Sequence, residues 1–189
     1  MQRDMFKNYK EIIEKNNTIE TERLLLRPFR YDCERDFEDF FEYRKGPEII
    51  LHQGGKLVKT MDDAREVLDE YQRLVDAGDY QFFIEHKELE CLIGGFSLVL
   101  YENDDRVQIG YEFGVNYWGF GYATEVLGAV IDYIFAKLGA NRIEGFHYGG
   151  NEASGNVMKK CGMTLEGISQ KKFKINGILR DDYAYAILR

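Results

Sequence analysis

Apolar positions early in the chain repeat at helical spacing. Met5, Phe6, Tyr9, Ile12 and Ile13 fall at i, i+1, i+4, i+7 and i+8, one stripe of a short helix that Asn16 and Asn17 end. Such a helix packs on the domain surface, contacts a second copy of the chain or covers a substrate site; the pattern leaves all three open. Residues 24–29 read as a strand, and Asp32 opens a helix that brings Phe37, Phe40 and Phe41 to one face and stops at Lys45-Gly46-Pro47. Thr60 and Asp63 have the pattern of a capping box, with Asp in the usual Glu position, and Val67, Leu68, Tyr71, Leu74 and Val75 carry an apolar stripe to Gly78.

The period then changes. Residues 80–86, 89–101 and 107–115 read as an antiparallel meander that turns at Lys87-Glu88 and at Asn103-Asp104-Asp105. Leu127, Val130, Ile131, Ile134, Phe135 and Leu138 predict a helix over 123–138 closed by Gly139. Residues 142–148 return to strand, which makes 107–148 a β-α-β unit with parallel strands. A helix over 153–161 ends at Gly162, and strands over 165–175 and 178–188 are joined by Asn176-Gly177, a strong hairpin signal. The order β-α-α-β-β-β-α-β-α-β-β predicts an α/β chain of the mixed-sheet, α+β kind. No repeat or linker divides it: residues 1–18 read as a helical extension and 19–189 as one domain.

Charge narrows the partners. The 33 acidic and 25 basic residues give a net charge of −8, with no basic run, so nucleic acid is not an expected partner and a cationic substrate suits the field better. The longest mostly apolar stretch, residues 91–101, contains Gly94, Gly95 and Ser97 and falls well short of the ~20 residues a membrane-crossing helix needs. The first residues lack the uninterrupted apolar core of a secretory signal, so a soluble cytoplasmic protein with no membrane partner is expected. Cys33, Cys91 and Cys161 are too far apart and odd in number for a disulfide framework, and His52, His86 and His147 too scattered for a metal motif; no metal is expected.

The chemically informative segment runs from Tyr117 to Glu125. Gly119 and Gly121 permit a tight turn and close approach of a ligand to the backbone, and the first amides of the helix that follows point outward without partners, a geometry that binds phosphate. A dinucleotide fingerprint would have a third glycine at Thr124, and a P-loop would end in Gly-Lys-Ser/Thr; neither is present. A strand-to-helix turn with no ligand is the plain alternative.

The turn sits in an ordered set. Ile109-Gly110-Tyr111-Glu112-Phe113, Trp118-Gly119, Gly121-Tyr122-Ala123-Thr124-Glu125, Asn141-Arg142-Ile143, Asn151-Glu152-Ala153-Ser154, Lys160-Cys161-Gly162-Met163, Leu165-Glu166-Gly167, Asn176-Gly177 with Arg180-Asp181, and the opening 20–28 segment occur together. From about residue 20 onward the chain resembles a GCN5-related N-acetyltransferase (GNAT), of the branch that acetylates ribosomal-protein N-termini. That resemblance implies a twisted, mainly antiparallel sheet with a central splayed parallel pair, flanked by helices, with acetyl-CoA as co-substrate in the gap. It implies that main-chain amides from Trp118 through Phe120, Tyr122 and Ala123 to Thr124, foremost Gly119, Gly121 and Ala123, hold the CoA diphosphate. Many members have Arg or Gln where Trp118 stands and a basic or polar residue in place of Phe120; backbone donors make such departures tolerable.

Amine acetylation requires a neutral nucleophile, a polarised thioester carbonyl and a proton for the departing thiolate. Keeping lysine neutral at pH 7 costs roughly 4.6 kcal/mol, against about 1 kcal/mol for an α-amine, so an N-terminal amine demands the weaker base. Glu112 can accept that proton, directly or through water, or bind the amine; otherwise it is an ordinary polar strand position. Its neighbours Tyr111 and Phe113 face the other side of the sheet. The resemblance gives Asn151 a role in holding CoA or ordering water, and Ser154 one as proton donor to the leaving sulfur; an N-cap Asn and a first-turn Ser are the structural counterparts. The oxyanion contact falls to a main-chain amide among Phe113, Gly114 and Val115. Ser154 lacks the flanking glycines of a nucleophile elbow. The expected reaction is direct transfer to an amine acceptor, a protein N-terminus or a small polyamine or aminoglycoside, by a monomer or homodimer; a CoA-binding sensor without transfer activity is the rival class.

Overall fold

The computed structural model describes residues 8–49 and 55–189. Met5, Phe6 and His52, named above, lie outside the described residues. The elements are α1 (Tyr9–Lys15), β1 (Ile19–Glu20), β2 (Leu24–Arg27), α2 (Glu34–Arg44), α3 (Met61–Asp76), β3 (Tyr80–His86), β4 (Cys91–Tyr101), β5 (Arg106–Phe113), α4 (Tyr122–Tyr133), β6 (Arg142–Tyr148), α5 (Glu152–Lys160), β7 (Thr164–Ile175) and β8 (Ile178–Leu188). They build one sheet of order β1-β2-β3-β4-β5-β6-β8-β7, antiparallel at every junction except β5–β6.

Where elements end differently from the sequence pattern, local chemistry is the reason. β2 stops at Arg27 because Pro28 has no amide to continue a ladder. Asp32 does not open α2, which begins at Glu34 with Cys33 in the cap position. β4 starts at Cys91 because Glu90 turns with a positive φ of 52°. β5 ends at Phe113, since Val115 already belongs to a tight turn over Val115–Tyr117. The helix expected to run to Leu138 widens over Ile134–Leu138, where the Gly139 amide bonds the Ile134 carbonyl at 3.0 Å. The capping box closes in both directions between Thr60 and Asp63.

Two cores sandwich the sheet. On one face α1, α4 and α5 bury Tyr9, Ile13, Val126, Leu127, Val130 and Met158 against β-strand residues such as Phe82 and Phe96. On the other, Phe37 and Phe40 of α2 and Val67 and Leu68 of α3 pack on Phe29, Phe83 and Leu92. Phe82 and Phe83 thus serve opposite layers from adjacent positions, as the period of a strand requires. α1 is tied in firmly: Tyr9 donates its amide to Glu102 at 2.7 Å and its hydroxyl to Asp105 at 3.1 Å. α2 is anchored at its start by Asp36, which is fully buried and accepts from both Arg27 and Arg30; against its burial, those bonds pull its pKa down to about 2.

Candidate active site

The parallel junction is short. β5 and β6 pair only at Arg106–Arg142, Val107–Ile143 and Gln108–Glu144. Beyond these, β5 stays with β4 as far as Gly94–Phe113, and β6 stays with β8 as far as Tyr148–Asp182. Each strand keeps its antiparallel partner and leaves the other, which opens a wedge in the sheet.

The glycine turn lies at the end of that wedge. Gly119 and Gly121 adopt φ of 84° and 83°, in the left-handed region that side-chain-bearing residues rarely occupy, and α4 starts at Tyr122. The amides of residues 119–123 donate to no described residue, whereas those of Thr124 and Glu125 each reach the Gly121 carbonyl at 3.1 Å. The opposite side of the turn is fastened from the bend between β1 and β2. Arg23 donates to the Phe120 carbonyl at 3.1 Å, lies 4.4 Å over the Tyr122 ring and pairs with Glu125 at 2.7 Å. Glu125 also accepts from the Thr21 hydroxyl at 2.6 Å, and these partners outweigh burial and hold its carboxyl below the usual range. Carbonyls and charges are consumed internally, and a row of amides is left facing outward.

Two cavities open on either side of the separated strands. One, of about 460 Å³, is lined by Trp118, Gly119, Gly121, Ala123, Thr124 and Lys160, among others. The second, of about 290 Å³, is lined by Tyr71, Leu74, Gln81, Ser97, Phe146 and Tyr148, among others. Four residues line both: Tyr111, Glu112, Asn151 and Ser154. A molecule entering from either side meets the other at these side chains.

Their arrangement is specific. The Tyr111 hydroxyl lies 2.9 Å from the Ser154 hydroxyl and 3.1 Å from the Ser154 carbonyl oxygen; burial pushes the phenol up to about 12 despite the serine. α5 can bring Ser154 this close because residue 155 is glycine: a Cβ there would stand 2.6 Å from His147 Nε2. Asn151 caps α5, its side-chain oxygen accepting from the Ser154 amide at 3.3 Å. Glu112 is buried on the other face and forms an ion pair with Arg44 through Oε2. Its Oε1 accepts only long bonds, from Tyr43 at 3.4 Å and Tyr71 at 3.3 Å. The Gly114 amide is engaged by the Ile93 carbonyl at 2.9 Å. By antiparallel alternation, the Phe113 amide then faces the edge that β6 has vacated.

The structure thus brings Glu112, Asn151, Ser154, Phe113 and the glycine turn to one wedge. Trp118 belongs to neither core; it is 43% exposed, and its indole donates to the Phe113 carbonyl at 2.7 Å. Phe120, 60% exposed, stacks on Tyr122 and does not line either cavity. Leu74, expected in the packed stripe of α3, instead lines the second cavity. Sequence reasoning assigned no chemical role in the site to Tyr43, Arg44, Tyr71, Tyr111 or Arg23. Arg44 and Tyr71 come from separate helices and carry no local motif; for Tyr111, strand alternation gave the face but not its serine partner. Among the described residues, no group of three His, Cys, Asp or Glu could hold a metal ion.

Comparison with known proteins agrees with this architecture. Residues 23–164 match the family model of the acetyltransferase (GNAT) domain. The chain is 31% identical over 175 residues to the uncharacterized N-acetyltransferase p20 of Bacillus licheniformis, covering 91% of this chain and 96% of that protein. It is 29% identical over 174 residues to the uncharacterized N-acetyltransferase YoaA of Bacillus subtilis, covering 90% and 96%. A crystal structure of a GNAT-family acetyltransferase from Bacillus anthracis superposes with a TM-score of 0.77 at 28% identity, covering 90% of this chain and 98% of that one. The chain belongs to the GNAT acetyltransferases and is an acetyl-CoA-dependent N-acyltransferase.

Proposed function

We propose that the enzyme transfers the acetyl group of acetyl-CoA directly to a primary amine, with both substrates bound at once. The observation that carries this reading is the meeting of two cavities at Tyr111, Glu112, Asn151 and Ser154. The larger cavity suits the CoA moiety. Its outward amides at Gly119, Gly121 and Ala123 match a diphosphate, the start of α4 adds a favourable dipole, and Lys160 supplies a cation. The acetyl end then lies at the junction, with the Phe113 amide placed to hydrogen-bond the carbonyl oxygen as negative charge develops on it.

The amine enters from the smaller cavity. Oε1 of Glu112, claimed only by long tyrosine bonds, accepts the proton that leaves the nitrogen, directly or through water, while Arg44 fixes Oε2. The nitrogen lone pair forms the new C–N bond as the C–S bond breaks. Ser154, hydrogen-bonded to Tyr111, passes a proton to the departing thiolate and regains one from solvent, to which Glu112 releases the proton taken from the amine. An amine with a pKa of about 8 meets this weak base on the best terms, which favours an α-amine, including a protein N-terminus, over a lysine side chain.

The test combines calorimetric titration with acetyl-CoA and a thiol-release assay against a panel of amines. Saturable heat and amine-dependent thiol release are expected. No heat, or thiol release independent of amine, would overturn the proposal; tight binding with no transfer to any amine would favour the sensor reading.

A further inference from the structure

Resting on the acetyl-transfer reading, we infer that the acceptor is a monoamine on an uncharged body, apolar or aromatic with at most neutral polar groups. A polyamine and an amine carrying its own carboxylate are both poor fits. The argument is the charge balance of the smaller cavity. Among the described residues that line it, Glu112 is the one carboxylate, and no lysine or arginine is present. That carboxylate is matched by Arg44, whose side chain is as buried as its own, so the pair presents no net charge.

The polar lining groups have contacts of their own. Gln81 already donates to the Phe82 carbonyl at 2.9 Å, and His147 is packed flat against the Tyr183 ring at 4.8 Å. Phe146, Tyr148, Leu74 and Val99 give an apolar wall. Beside the wall, the buried Asp182, strand partner of Tyr148, pairs through Oδ2 with the half-exposed Lys172 at 2.6 Å, which balances its charge, while its Oδ1 has no hydrogen-bond partner among the described residues. Among the described lining residues, a second ammonium on the acceptor would meet no carboxylate besides Glu112, and an acceptor carboxylate would meet no lysine or arginine. The net charge of −8 acts on encounter from a distance and does not change this local balance.

The test uses acceptors of one length: pentylamine, 1,5-diaminopentane and 5-aminopentanoate, with kcat/KM read from thiol release at saturating acetyl-CoA. Pentylamine is expected to exceed the other two by about 100-fold, the ratio that an uncompensated charge of ordinary cost would produce. Equal or greater kcat/KM for the diamine or the amino acid would overturn the inference. A second arm uses Val99→Asp, which adds a carboxylate to the wall away from the reacting groups. It is expected to raise the diamine-to-pentylamine ratio about tenfold, and an unchanged ratio would count against the inference. Failure of acetyl transfer itself would show separately, as loss of acetyl-CoA heat or of amine dependence.

Discussion

The two halves of the site are built from different materials. On the proposed CoA side the candidate recognising groups are main-chain amides, with a clasp of Arg23, Glu125 and Thr21 behind the turn. On the proposed acceptor side the candidate is a side chain, Glu112, surrounded by Arg44, Tyr43 and Tyr71 from two helices. Backbone recognition tolerates sequence change as long as φ and ψ survive, which is why Trp118 and Phe120 can depart from the family's usual residues. Side-chain recognition has no such tolerance, because removing one partner leaves the other buried and unpaired.

The sharpest way to break the first half is Gly121→Val. A β-branched residue at φ 83° distorts the turn and misaligns its amides, so acetyl-CoA should produce no measurable heat in calorimetry. The second half breaks with Glu112→Gln. Turnover should fall by about 10²- to 10⁴-fold with acetyl-CoA affinity retained. Loss of the ion pair to Arg44 should cost about 3–5 kcal/mol in urea unfolding, and Arg44→Met in the same chain should recover most of that stability without restoring turnover. Arg23→Ala tests whether the clasp matters: acetyl-CoA affinity should weaken about tenfold, with kcat for bound substrates little changed. The smallest effect concerns Tyr111. Because burial raises its pKa to about 12, the phenol keeps its proton through the alkaline range, and kcat should show no alkaline limb below about pH 11 in the wild-type enzyme. A limb near the ordinary tyrosine value of about 10 would contradict the burial of the Tyr111 hydroxyl.

Much of this was legible before any coordinates. The strand–turn–helix around Gly119 and Gly121 is written in local residues, as are the Asn176-Gly177 hairpin, whose central φ angles are 49° and 83°, and the Asn151 cap. What stayed hidden depends on distance in sequence. Arg44 and Glu112 lie 68 positions apart, and Tyr111 and Ser154 43 apart, so no spacing rule connects them. The separation of β5 from β6 was implied by family resemblance alone; its physical origin is that each strand's antiparallel partner continues after the parallel pairing stops at Gln108 and Glu144. For Glu112 the sequence offers a base, an amine-binding carboxylate or an ordinary polar strand position, and nothing in its neighbours announces an arginine arriving from the end of α2.

Under the proposed assignment of the two cavities, spent thiol would leave by the mouth through which it came and the acylated product by the other, so that neither departure would wait for the other and an excess of acceptor would not bar the exit of CoA. Rate measurements that vary both substrates should give intersecting lines, without inhibition at high amine.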